Sequence, residues 1–410
     1  MMLMDDRPQS VNLEDHGSHS PFEVLRVFLQ LGLISFGGPI AHIGYFREEF
    51  VVRRRWLDEA AYTDVVGLCQ FLPGPASSQV GFSIGLMRAG YPGGLAAWTG
   101  FTLPSASALL LFAYGAPALT GPVGMGLLHG LKLVAVAIVA QAVFGMARTL
   151  CPDRPRASIA TIAAVLVLYG GSSGAQVGAI LLGAVAGFLV CRSQAPVSAA
   201  PPAFPVSRRV GIASLAAYAI LLVGLPLSRS LGAPQGVALF DAFYRSGALV
   251  FGGGHVVLSL LRDAVVAPGW VSDNAFLAGY GAAQAVPGPL FTFATYLGAV
   301  VEPSPHGAVG AVIGLVGIFL PGMLVLLAAL PFWNTMRARS GAQAVMRGIN
   351  AAVVGLLAAA LYSPVWISSV NSRGDFGVAL IGFVLLTAWH ARPLLVVIWG
   401  ALAGIALQQI

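Results

Sequence analysis

Apolar positions in this chain come in long runs rather than alternating stripes, and several runs are broken in the middle. The first extends from Phe22 to about Phe46 and is interrupted by Ser35-Phe36-Gly37-Gly38-Pro39. The second begins near Ala60, continues to Met87 and contains Gln70-Phe71-Leu72-Pro73-Gly74-Pro75. Unbroken apolar segments follow over roughly 92–118, 123–147, 158–172 and 174–191, then a Pro/Ala/Ser-rich stretch at about 194–207 and a further segment at Gly211–Leu227. Runs of this kind predict membrane-crossing helices, although 158–172 and 174–191 are short for a span of ~20 residues. Two prolines around a glycine cannot continue a helix, because neither ring nitrogen has a donor and Gly74 is free to turn. In lipid such a break is tolerated only where the freed backbone faces protein or a watery cavity.

After Leu227 the pattern restarts. Phe28–Gly38 (FLQLGLISFGG) aligns with Phe243–Gly253 (FYRSGALVFGG) at an offset of 215, and Trp56 matches Trp270 at 214. Gln70, Pro73, Gly74 and Pro75 match Gln284, Pro287, Gly288 and Pro289 at 214, and Pro104 matches Pro321 at 217. Lys132 matches Asn350 at 218. An ordered series of matches with small drift predicts a duplication. The expected organisation is a polar, acidic and disordered tail over 1–21, a first repeat over 22–192, a linker with one extra transmembrane helix over 193–235, and a second repeat over 236–410.

Composition confirms the class and removes others. Of 410 residues 57% are hydrophobic and 9% charged, with mean hydropathy +0.82, where a soluble domain carries about 25% charged residues. The fold class is an all-α polytopic membrane protein. Cys69, Cys151 and Cys191 are far apart and form no CxxC, so neither a disulfide framework nor a thiolate metal site is indicated. No G-x-x-x-x-G-K-[ST] stretch is present, no nucleophile–base set appears, and no cofactor, metal or nucleic acid is expected.

Arginine placement orients the chain. Basic loops fall at Arg47–Arg55, Arg148–Arg156, Arg192–Arg209 and Arg337–Arg339. If each broken run is a re-entrant hairpin that returns to the side it entered, all of these clusters lie inside. The N-terminus is then cytoplasmic, the C-terminus periplasmic, and the two halves are inverted-topology repeats. Treating the broken runs as simple spans puts the Arg148–Arg156 cluster outside.

Paired breaks in the two halves of a membrane chain point to a transporter binding site. Ser35, Phe36, Gly37 and Gly38, with Gly252, Gly253 and Gly254 after Phe251, offer backbone N–H groups without side-chain obstruction, suited to an anion. The amides of Gln70 and Gln284 precede the breaks at Pro73-Gly74-Pro75 and Pro287-Gly288-Pro289. Close helix packing is the plainer use of such glycines. Lys132, the only lysine, and Arg245 lie in apolar runs and are candidate anion ligands. Asp241 and Arg245 are four apart and share a helix face, as a structural pair or as part of a site. His42, Asp64, Asp241 and His255 are candidate proton carriers; a lone histidine at a helix end is more often structural.

Phe36-Gly37-Gly38-Pro39 with His42, the Arg47…Trp56 loop, Gln70–Pro75 and their echoes at Phe251–Gly254 and Gln284–Pro289 resemble the signature of the chromate ion transporter family, in its two-half form. The resemblance implies a bacterial inner-membrane protein that expels chromate, confers resistance and is driven by the proton gradient. Its partners would be a chromate- or sulfate-like anion, protons and the lipid bilayer, with a homodimer as a further assembly. The two dianions are similar in shape and size, so a sulfate or other oxyanion carrier is the alternative. The second half departs from the first where Pro39 becomes Gly254, Leu72 becomes Val286 and Lys132 becomes Asn350.

Overall fold

The computed structural model describes residues 20–35, 38–115, 121–170, 173–191, 204–250, 257–333, 340–367 and 369–408. The chain is helical, with no strand among the described residues. Five helices are long and apolar enough to cross a membrane: Ala76–Gly115, Gly121–Leu150, Arg208–Ser230, Gly307–Phe332 and Gln343–Ser363. The protein is a multi-pass membrane protein, and apolar side chains such as Ile212, Leu215, Ile220 and Val223 stand exposed on the third of these helices, where lipid would cover them. Of the disordered tail expected over 1–21, residues 1–19 lie outside the described residues, while Ser20 caps the first helix and Pro21 is its first residue.

Both broken runs form pairs of helices divided at the break. The first is α1 (Pro21–Ile34) and α2 (Gly38–Arg47); the second is α3 (Glu59–Phe71) followed by α4 (Ala76–Gly115). At 1.5 Å per residue α1 is about 21 Å long, short of a hydrocarbon core of ~30 Å. α4 joins two stretches that the sequence reading kept apart. It runs through a kink at Ala89 and Gly90, where Gly90 has φ +63°, and Pro92 sits where a new helical stretch can dispense with an N–H.

The repeat is visible in helix boundaries. α1 and α9 (Gln235–Ala248) start 214 positions apart and each has 14 residues. α3 and α11 (Asp273–Ala285) are also offset by 214, with 13 residues each. Their N-caps match too: the Asp58 side chain accepts from Ala61 N, and Ser272 from Ala275 N. An ion pair ahead of each recurs, Arg47–Glu59 at 2.8 Å and Arg262–Asp273 at 3.0 Å.

The halves interlock. α5 (Gly121–Leu150) packs on α15 (Arg373–Thr387) and α16 (Pro393–Leu407), from the far end of the chain. Reciprocally, α14 (Ser340–Ala360) packs on α6 (Arg154–Gly170) and α7 (Ser173–Val190). Small-residue grooves make this possible. A Cβ on Gly126 would stand 2.7 Å from Ile405 Cα, and one on Gly187 would stand 2.6 Å from Gly348 Cα. α8 (Arg208–Ser230) has no repeat counterpart.

Candidate functional site

A Pro-Gly-Pro segment has one backbone donor, the glycine N–H, because neither proline has one. Both such donors cross between the halves. Gly74 N donates to Val250 O at 2.7 Å, and Gly288 N donates to Ser35 O at 2.9 Å. Ser35 and Val250 occupy the same register position, at the end of α1 and of α9, directly before each glycine break. The two glycines adopt φ +115° and φ +104°, conformations that L side chains rarely take. Each also lies against the long helix of the opposite half. A Cβ on Gly74 would meet Gly322 Cα at 2.8 Å, and one on Gly288 would meet Ser105 Oγ at 2.9 Å. Gly322 follows Pro321 in α13 (Gly307–Ala329), and Ser105 follows Pro104 in α4, so these contacts are register-equivalent as well.

The side chains around the two crossings differ. At the first, Ser77, Ser78 and Gln79 open α4 and are 3%, 2% and 0% exposed. Gln79 Nε2 donates to Pro73 O at 2.9 Å and to Gly322 O at 2.8 Å, bracing the break against the other half. His42 is fully buried, with Nε2 3.2 Å from Ser35 O and Nδ1 3.2 Å from Ser77 Oγ. A carbonyl only accepts, so Nε2 carries the proton in a neutral ring and Nδ1 accepts from the serine hydroxyl. Ser78 Oγ beside this break, and Ser35 Oγ and Thr102 Oγ1 on the side of the Gly288–Ser35 crossing, are buried with no hydrogen-bond partner among the described residues. The first N–H groups of α4 also lack intrahelical acceptors by helix geometry.

At the second crossing the corresponding triplet is Phe291-Thr292-Phe293. Thr292 Oγ1 is used up on Pro289 O at 2.7 Å, and both phenylalanines are buried. Gln284 Nε2 and Thr295 Oγ1 remain without a partner.

The structure thus brings together Ser35, His42, Pro73, Gly74 and Pro75 with the opposite half, and likewise Pro287, Gly288 and Pro289. Gly38 opens α2 with φ +76°. Phe36, Gly37, Gly252, Gly253, Gly254 and His255 lie outside the described residues. Gln70 is exposed on α3, so the amide that meets the freed backbone is that of Gln79, nine positions later. Asp64 is half-buried on α3.

Lys132 is drawn away from both crossings. Its Nζ donates to Asn274 Oδ1 at 3.0 Å, at the start of α11, a helix length of about 16 Å from the break at its other end. One turn earlier His129 Nε2 lies 2.7 Å from Asp375 Oδ1, a pair not anticipated from sequence. Asp241 is fully buried and bound to Arg245 at 2.7 Å. Arg245 lines a cavity of about 630 Å³ together with Arg229, Ser246 and Asp263.

Both ends of the two first-half hairpins meet in one ionic network. Glu23, in the first turn of α1, lies 3.7 Å from Arg54 and 3.8 Å from Arg88. Arg54 belongs to the loop between the hairpins, and Arg88 precedes the α4 kink. Glu49 holds Arg54 at 2.5 Å and Arg53 at 3.0 Å. Trp56 lies between cations, with Arg88 5.1 Å and Arg54 5.7 Å from its ring centroid.

Comparison with known proteins agrees with the repeat. The sequence profile of the family described as Chromate transporter matches residues 22–188 and again 237–405. A Pseudomonas aeruginosa chromate transport protein is 28% identical over 92% of this chain and 90% of its own length. A probable chromate transport protein of Synechococcus elongatus is 28% identical over 96% of this chain and 97% of its own. One from Cupriavidus metallidurans is 25% identical over 88% and 86%. No solved structure matches.

Proposed function

Since the chain belongs to the chromate transporter family, whose members are transporters and not enzymes, we propose that it exports chromate across the bacterial inner membrane, coupled to the proton gradient. The reciprocal exchange of the Gly74 and Gly288 N–H groups at a buried, hydroxyl-lined crossing carries this reading. A tetrahedral dianion needs converging donors. Ser35, Ser78 and Thr102 have hydroxyl protons to give, and the α4 N-terminus adds free N–H groups and a partial positive charge. No described cation touches this crossing, so the anion would be held by dipoles and would leave readily. His42, hydrogen-bonded to Ser35 O beside it, is placed to take a proton as the anion passes.

The same reading makes the halves inverted repeats with re-entrant hairpins, the tail cytoplasmic and the C-terminus periplasmic. The Glu23 network favours it, since the start of α1, the 48–58 loop and the α4 kink share one face, as returning hairpins require. The Lys132–Asn274 and His129–Asp375 bonds likewise bring the starts of α11 and α15 to neighbouring levels along α5.

The test is uptake of labelled chromate into everted vesicles, with sulfate as competitor and with or without an uncoupler. Uptake that the uncoupler abolishes and excess sulfate reduces only weakly is expected. Sulfate uptake without chromate uptake would replace the substrate, and uptake insensitive to the uncoupler would remove proton coupling.

A further inference from the structure

We propose that the cavity of about 400 Å³ lined by Glu23, Arg26, Val27, Gln30, Arg53 and Arg54 is a tetrahedral-oxyanion vestibule on the face of the basic loops, and that Glu23 is the internal carboxylate an arriving anion displaces. The inference rests on the oxyanion-transport reading above and adds a second place where the anion binds.

Charge balance supports it. Three guanidinium groups line the cavity against a single lining carboxylate. Glu49 occupies Arg53 and one edge of Arg54, while Arg26 has no ion-pair partner among the described residues. Gln30, one turn along α1 from Arg26, adds an amide donor. Guanidinium forks match the paired oxygens of a tetrahedral oxyanion, and an amide completes such a set.

Glu23 already behaves as a loosely held surrogate. Its carboxylate lies 3.7–3.8 Å from Arg54 and Arg88, beyond hydrogen-bond distance, and its side chain is 34% exposed. The register counterpart of this cavity is the one holding Arg229 and Arg245. On α9 the positions of Glu23, Arg26 and Gln30 are taken by Ala238, Asp241 and Arg245, and of these Arg245 lines that cavity. Asp241 is fully buried and bonded at 2.7 Å to Arg245 on its own helix. That carboxylate has no freedom to move aside, whereas Glu23 has. The first half therefore carries an exchangeable counter-charge and the second a fixed one.

Opposite signs at two positions make the test. Sulfate and chromate titrations by calorimetry use the full-length protein in phosphatidylcholine nanodiscs. Arg26→Gln should raise Kd about tenfold, and Glu23→Gln should lower it three- to tenfold, because a competitor is gone. A structural role for Glu23 predicts weaker binding in both. An unchanged Kd in Arg26→Gln, or a raised Kd in Glu23→Gln, overturns the vestibule while vesicle transport stands. Sulfate binding that follows both substitutions, in a protein that moves no chromate, retains the vestibule and removes the chromate reading. Binding of phosphatidylglycerol that Arg26→Gln abolishes, with no sulfate binding in phosphatidylcholine, assigns the arginines to a lipid headgroup and overturns the proposal.

Discussion

The two Pro-Gly-Pro crossings share a backbone and differ in chemistry. Both place a positive-φ glycine against the opposite half and donate its N–H to the end of the opposite first helix. After that the first continues Ser77-Ser78-Gln79, and the second Phe291-Thr292-Phe293. The triplet after the first break is polar, with Ser78 Oγ unpartnered among the described residues, while the triplet after the second sets two aromatic rings in register, Phe293 stacked on Tyr296 at 6.2 Å. Duplication preserved what closes the fold and relaxed what would meet a polar solute. The exchanged backbone bonds are a closing device used twice, and the Ser-Ser-Gln triplet beside them is present once.

The largest effect should come from Gly74→Ala. Its methyl would need a positive φ and would stand 2.8 Å from a backbone carbon, which cannot move aside. No monodisperse protein is expected by gel filtration in detergent. Gly288→Ala carries the same φ strain, but its nearest contact is a serine hydroxyl, so it should yield more folded protein than Gly74→Ala, and adding Ser105→Gly should raise that yield. Equal losses that Ser105→Gly fails to relieve would mean the two crossings are not distinguished by their contacts.

Gln79→Leu comes next. It leaves the Pro73 and Gly322 carbonyls without their donor, at about 1–3 kcal/mol for each buried orphan. Phe293→Leu, the register counterpart, removes only packing and should cost about 1 kcal/mol. Thermal unfolding of the two variants should separate them clearly, and similar melting temperatures would deny Gln79 its bracing role.

Ser78→Ala breaks no hydrogen bond in the described structure, so stability should hold. Chromate Kd should rise about tenfold, the loss of one hydrogen bond to a charged group at about 1.5–3 kcal/mol. Thr292→Val should do the reverse, leaving Kd unchanged and lowering stability by about 1 kcal/mol as its bond to Pro289 O is lost. A Kd that moves equally in both would spread the site over both halves.

Gln70→Leu should do least. Its exposed amide predicts a stability change within about 0.5 kcal/mol and a Kd within about twofold. Binding weakened tenfold would return Gln70 to the site.

Much of this was legible in sequence. The breaks, the register and the Asp241–Arg245 pair follow from proline chemistry, offset matching and i,i+4 spacing. Gln79 has no repeat partner to mark it, as Gln284 marks Gln70, and its signal in the sequence is a polar triplet just after Pro75 in an apolar run. Lys132 reads as a candidate anion ligand in sequence because a cation in an apolar helix is costly and needs a partner. Sequence names the need but not the direction, and Asn274 supplies the partner a helix length away. The interlocking of α5 with α15 and α16 has no local signal. Glycine spacing marks a groove without saying which helix fills it.

That interlocking sets a timetable for biogenesis. Gly74 leaves the ribosome roughly 180 residues before Val250, a wait of about 10–35 s at ~5–20 residues per second. Throughout it the first half sits in the bilayer with its crossing donor unmatched and the glycine groove of α5 unfilled. The second half thus acts as a dedicated assembly factor for the first, and fusion in one polypeptide delivers it on schedule and in equal number.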